Sequence, residues 1–324
     1  RDPQSPVCRE AVRLDVDPAA MPPRKTPRSV RSETNVTRAP SLWATGPTQL
    51  ALPLDASGLG VAVRASGQLS LTPDFDLLTW LCERWLTTRL PDGYTVDGEP
   101  DPHGVAAFTL YDLGLDLYGR EPGGKERRDM RDSLLRLFRV EVSFTGYDAL
   151  SRKPDADLCS RARLITTIVS EREALGPDAS PEALGALRGS TWKVEIASWL
   201  QRQLLAGNVT YLSWRTLRQL DGAAKRAWVY LEAERWKPVG DGLLATSIGL
   251  GRPALDSLGV GGFQRHRDAR RALERAGQRI VAADDRYASV TVEGRPGGHS
   301  LVAYRLDSER LKVRRTVRAS LVSP

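Results

Sequence analysis

Three stretches of the chain carry residue types and spacings suited to chemistry. The first is "GREPGGKE", residues 119 to 126. It has the G-x-x-x-x-G-K spacing of a loop whose backbone N–H groups and lysine surround phosphates, with a following Ser or Thr on Mg²⁺. Here Glu126 stands where that hydroxyl belongs, and its charge would oppose a phosphate. Such a loop must also leave a buried strand, whereas the preceding "TLYDLGLDLYG" has helical spacing. The segment therefore reads as a turn between two helices, with Gly119, Gly123 and Gly124 supplying left-handed backbone angles. A P-loop ATPase or primase-like enzyme dependent on Lys125 remains the lesser alternative.

The other two stretches are the arginine-rich runs "KERRDMRDSLLRLFR" and "FQRHRDARRALERAG". At helical period, Lys125, Arg128, Asp129, Asp132 and Arg136 form one stripe, opposite Met130, Leu134 and Leu137. In the second run Gln264, Arg267, Asp268, Arg271 and Arg275 face outward, and Ala269, Leu273, Ala276 and Ile280 face inward. An arginine fork matches O6 and N7 of guanine, and glutamine matches adenine. The aspartates would repel phosphates, so their expected work is to orient arginines or to contact cytosine. A solvated amphipathic helix with internal ion pairs, such as Asp268 with Arg271, is the plain alternative for either run alone. Two stripes at equivalent places favour duplex DNA. The expected contact set is Gln264, Arg265, Arg267, Arg270, Arg271 and Arg275 in one half, and Lys125, Arg127, Arg128 and Arg131 in the other. Arg152, Lys153 and Arg295 are expected at the tips of flanking hairpins, against the DNA backbone.

Little else in the chain suggests reactivity, and no catalytic residue, cofactor or metal is expected. The three histidines, His103, His266 and His299, form no H-x-H pair, and "HRDAR" lacks the spacing of tyrosine recombinases. Cys8, Cys82 and Cys159 are scattered, with no zinc spacing, which points to a reducing cytoplasm. No apolar run is long enough to span a bilayer, so no membrane partner is expected. A net charge of +7 over 324 residues makes polyanions plausible partners.

The elements that must position these residues follow a repeated order. The fold class expected is α+β: two tandem winged helix-turn-helix modules behind a disordered basic N-terminal arm. Residues 1–45 form that arm, in which "PPRKTPRSVRSETNVTRAP" has few large apolar groups, and translation is expected to begin at Met21. Residues 46–171 make the first module: a small β-hairpin or meander, a helix with Phe75, Leu78, Cys82 and Trp85 inward, a short helix, the glycine turn and the first arginine helix. Its wing is expected from "VEVSFTGYDA" and "ARLITTIVSE" around a polar tip. Residues 172–190, rich in Pro, Gly and small residues, read as a linker. In residues 191–308 the order returns: helices from "KVEIASWLQRQLLAG" and "LSWRTLRQLDGAAKRAWVYLEAERW", a short helix near Pro253, the second arginine helix, and a wing from "YASVTVEG" and "SLVAYRL". A basic tail, "RLKVRRTVR", lies in residues 309–324.

The pattern "YLSWRTLRQLDGAAKRAWVYLEAERW" followed by "FQRHRDARRALERAG" resembles plasmid-type replication initiators built from two winged-helix domains. "FTLYDLGLDLYG" and "RRDMRDSLLRLFRVEVSF" resemble their first domain, and the likeness spans roughly residues 46 to 306. It implies binding of double-stranded DNA at direct repeats, a homodimer through the first domain that represses its own promoter, recruitment of host initiator and replicative helicase, and a cytoplasmic, nucleoid-associated location. A winged-helix transcriptional repressor or partition protein stands as the alternative.

Overall fold

The computed structural model describes residues 29–39, 42–44, 54–58, 61–88, 95–96, 99–100, 105–148, 151, 153–170, 174–175, 191–294, 298–308 and 311. Its architecture is α+β, with helices packed on several antiparallel sheets.

The chain enters through β1 (Ser29–Glu33) and a single helical turn, α1 (Thr34–Thr37). The short strands β2 (Trp43–Ala44) and β5 (Leu69–Ser70) pair in parallel, and β3 (Leu54–Gly58) and β4 (Val61–Ala65) form the hairpin expected in this region. After a kinked turn, α2 (Asp76–Thr88) buries Leu78, Cys82 and Trp85, as its spacing requires. The two-residue strands β6 (Thr95–Val96) and β7 (Glu99–Pro100) come next, then β8 (Val105–Thr109), α3 (Leu110–Tyr118) and α4 (Gly124–Arg139). Thr109 caps α3 by accepting from the Asp112 N–H, and Gly119 ends it with φ +73. Gly123 instead has an extended φ of −74, so only Gly119 of the three expected glycines uses the left-handed region.

Two long strands, β9 (Glu141–Asp148) and β10 (Lys153–Arg163), pair with each other and join β4 and β3 in one sheet. β11 (Ile165–Ser170) does not pair with β9, as the expected first wing required. It pairs with β12 (Ala174–Leu175) and with β13 (Thr191–Ile196), which in turn pairs with β8. The reason is register. β9 and β10 stay paired from Asp148–Lys153 to Glu141–Arg163 by absorbing two register shifts, so residues 153–160, read as part of a polar tip, are strand. The stretch read as an inter-module linker, 172–190, lies in sequence between β11 and β13, which pair with each other, and "KVEI", read as helix, belongs to β13.

The second half continues with α5 (Ser198–Leu205), β14 (Val209–Ser213), α6 (Trp214–Gln219) and α7 (Gly222–Ala233). Then come β15 (Lys237–Gly240), β16 (Leu243–Gly249), α8 (Arg252–Ser257), α9 (His266–Ala283), β17 (Tyr287–Glu293) and β18 (Ser300–Leu306). One sheet has the order β8–β13–β11–β12 and the other β15–β16–β18–β17, so three strands correspond and the fourth lies on opposite sides. In each half a helix, a strand, two helices and two strands recur in that order, with β9 and β10 inserted after α4 and short strands added elsewhere, and the last strand lies between the other two.

The expected N-terminal arm is corrected for its described part. β1 pairs with β14 in the second half while lying against α2 of the first, and Val30, Val36 and Trp43 are buried. "SVRSE" alternates, and its inward positions find an apolar bed that local composition does not announce. Ion pairs fasten it on both sides: Arg31 Nε donates to Glu83 on α2 at 2.8 Å, and Arg38 Nη2 to Glu234, just past α7, at 2.9 Å. Residues 1–28, including Met21, and the tail beyond Leu311 lie outside the described residues.

The two halves meet in a seam built around a buried ion pair. Lys225 Nζ on α7 donates to Asp76 at 2.6 Å and to Thr72 at 2.7 Å, and both members of the ion pair are buried. Burial raises the Asp76 carboxyl above the usual carboxylate range, against the pull of the Lys225 ammonium. Trp80 donates to the side chain of Asp116 and Trp214 to its carbonyl, at 3.0 and 3.1 Å.

Candidate nucleic-acid interface

The helix α9 presents the clearer charged face. Ala269, Leu273, Ala276 and Ile280 are buried, and His266, Arg267, Arg270, Arg271, Arg275 and Arg279 are exposed. Gln264 and Arg265, just ahead of the helix, are exposed as well. Gly277 sets how closely the helix lies on its sheet. A Cβ there would come within 2.2 Å of the Val290 carbonyl oxygen on β17. Gly261, in the turn before α9, has Asp256 where a Cβ would stand. Buried Arg226 holds that turn from below, Nη1 donating to the Ser257 carbonyl at 3.1 Å, and burial lowers its pKa to about 10.

Ion pairs separate the arginines of α9. Arg270 Nε donates to Glu274 at 2.7 Å, Arg279 to Asp221 at 2.6 Å, and Arg267 lies 3.9 Å from Asp268. Arg265, Arg271 and Arg275 have no carboxylate partner among the described residues. They are the guanidiniums most available to an external acceptor.

In α4, Met130, Leu134 and Leu137 are fully buried and Lys125, Arg127, Arg128 and Arg131 are exposed. Lys125, Arg128 and Arg131 have no carboxylate partner among the described residues. Arg127 is partly engaged, with Nε donating to the Pro122 carbonyl at 3.1 Å. Arg136 does not belong to the outward stripe. It turns to the buried Asp74 carboxylate, Nη2 to Oδ1 at 2.7 Å, and ties α4 to the kinked turn before α2.

The "GREPGGKE" segment joins α3 to α4, both helices. Glu126 sits at the third residue of α4 and accepts the Gly123 N–H at 2.8 Å and Arg120 Nη2 at 2.5 Å. It occupies the position where a carboxylate satisfies the free N–H groups of a helix start. The Gly123 N–H is thus answered from within the protein, and α3, not a strand, leads into the turn.

Of the expected hairpin-tip residues, Lys153 is exposed at the β9–β10 turn, in a sheet separate from β8–β13–β11. Arg152 and Arg295 lie outside the described residues. Other arginines have structural partners: Arg286 pairs with Asp284 and Glu232, and Arg305 pairs with Glu232 and stacks 4.2 Å from the Trp236 ring centroid. That network also takes the Trp228 N–H and the Tyr287 hydroxyl, fastening α7 to the β17–β18 sheet.

A cavity of about 350 Å³ opens beside the start of α9, lined among others by Leu255, Val260, Phe263, His266, Leu273 and His299. Among the described residues no cluster of His, Cys, Asp or Glu could hold a metal ion, and no helix is long and apolar enough to cross a membrane.

No family model and no curated protein matches the sequence. Among solved structures, the crystal structure of RctB domains 2-3, RctB-155-483, aligns with a TM-score of 0.45 at 14% identity. The alignment covers 87% of this chain and 99% of that one. Likeness of that degree transfers no function.

Proposed function

We propose that the chain is a sequence-specific double-stranded DNA-binding protein of the replication-initiator kind, made of two winged-helix modules that read the major groove with α9 and α4. One observation carries this reading: a helix, a strand, two helices and two strands recur in that order in both halves, three strands of each sheet share one arrangement, and in both the long helix after the helix–helix turn exposes basic side chains with no carboxylate partner among the described residues. In a helix-turn-helix unit that helix enters the major groove, and its N-terminal residues meet base edges. Arg265, Arg267 and Arg271 with Gln264 then read bases from α9, and Lys125, Arg128 and Arg131 do so from α4. In this reading the protein acts by binding and not by chemistry. Glu126 as a helix-capping residue and α3 before the turn favour it over a phosphate-binding loop.

Directly repeated target sites, dimerisation through the first half, repression of its own promoter, and recruitment of host initiator and helicase belong to the same proposal, on the strength of the sequence resemblance. Selecting bound duplexes from random and native plasmid DNA tests it. Arrayed direct repeats are the expected outcome, and a single palindrome would favour a repressor. If roughly 6–10 phosphates are neutralised, affinity falls about 10³–10⁵-fold between 50 and 200 mM salt. A flat salt response would remove the reading altogether.

A further inference from the structure

The seam between the two halves exposes a third basic element, on α6, that neither reading helix includes. Trp214, Thr216 and Leu217 point inward from this helix, which leaves Arg215 and Arg218 exposed on its outer side. Neither has a hydrogen-bonded or ionic partner among the described residues.

Contacts on either side place α6 between the two reading helices. Toward α9, the Thr216 hydroxyl lies 3.4 Å from the Ala283 carbonyl, at that helix's last residue, and Arg279 is bonded to Asp221 just beyond α6. Toward α4, the Arg218 guanidinium lies directly over Gly119, so near that a Cβ on Gly119 would be 2.2 Å from Nη2. Gly119 and Arg120 are exposed, and they open the turn that leads into α4. The contrast with Arg226 is instructive. Arg226 lies against Gly259, in the matching turn of the second half, yet it is buried and bonded to the Ser257 carbonyl. Arg218 comes nearer its turn, remains exposed and has no bonded partner among the described residues.

Three acids near α6 are already engaged: Asp221 is taken by Arg279, Glu126 by Arg120 and the Gly123 N–H, and Asp116 accepts from Trp80. The charge that α6 itself offers outward is positive. A guanidinium pair of this kind suits phosphate oxygens, which accept from fixed N–H forks without regard to sequence.

We propose that Arg215 and Arg218 bind the phosphate backbone of the DNA between the two grooves read by α9 and α4, making the seam a third, sequence-independent contact. The inference rests on the DNA-binding reading above. Its test uses the full chain, a 30-bp random-sequence duplex pool and the selected site, with affinity measured against salt. The R215A/R218A variant should flatten the log–log salt slope by about 1.8, at about 0.9 per phosphate, so that affinity falls roughly tenfold less between 50 and 200 mM. Base preference and thermal midpoint should stay as in the parent, and R215K/R218K should restore the slope. An unchanged slope overturns the proposal. So does a loss that lysine does not restore, because the residues would then be shaping the seam and not supplying charge. R271A keeps the two ideas separable: if it relaxes base preference while the seam variant changes nothing, only the seam contact fails. A parent protein that binds no duplex removes both.

Discussion

Arginine serves two purposes in this protein, and exposure together with a carboxylate partner tells them apart. Arg136, Arg286 and Arg305 are joined to Asp74, Asp284 and Glu232 and hold helices and sheets together. Arg265, Arg271 and Arg275 face solvent without such a partner among the described residues. Replacing Arg271 by alanine should cost about 1–3 kcal/mol on a selected site and relax preference at one base pair. Equal losses on random DNA would place that side chain on the backbone instead. R136A should leave base preference alone and lower the unfolding midpoint, because it strands the Asp74 carboxylate. Helical period made both arginine faces legible in the sequence. It could not show that Arg136 would leave its stripe, since Asp74 lies 62 residues away in the chain.

Between elements, the legible parts were those set by local rules. α3, α4, α8 and α9, and the strands β17 and β18, follow from apolar spacing and turn residues close by in sequence. The glycine turn was legible as a turn, and Glu126 gained its purpose only once the start of α4 was located. E126A should lower stability by about 1 kcal/mol in thermal unfolding, with nucleotide binding irrelevant to the result. What sequence did not disclose was strand pairing over distance, because alternation marks a strand without naming its neighbour. Alternation therefore places β9 with β11, and helical spacing places "KVEI" with the following helix, whereas both pair elsewhere. Gly277 tests the packing of α9 on β17. An alanine there meets the Val290 carbonyl, and overpacking of this kind costs about 1–3 kcal/mol. The measurable sign is a lower unfolding midpoint together with weaker binding, since α9 must shift to make room.

For the whole molecule, the seam decides whether the two halves act as one body. Lys225 and Asp76 are its buried ion pair, and removing one partner leaves an uncompensated charge. K225M should cost about 3–5 kcal/mol of stability, whereas D76L/K225M should recover most of it. If the double variant recovers stability yet loses affinity for the selected site, the pair fixes the relation between the halves. Failure of the double variant to recover would mean that the surrounding packing, and not the charge, carries the seam.

The N-terminal strand has a consequence for how the chain is made. Glu33 finds Asn208, the residue before its partner strand, 175 positions later. At about 5–20 residues per second, β1 would wait roughly 10–35 s on the ribosome before β14 emerges. Throughout that interval Val30 and Val36 have only part of their eventual surroundings, so the nascent chain displays an unclosed strand edge. Biosynthesis of this protein should accordingly be more sensitive to chaperone supply than that of a chain whose two halves close independently.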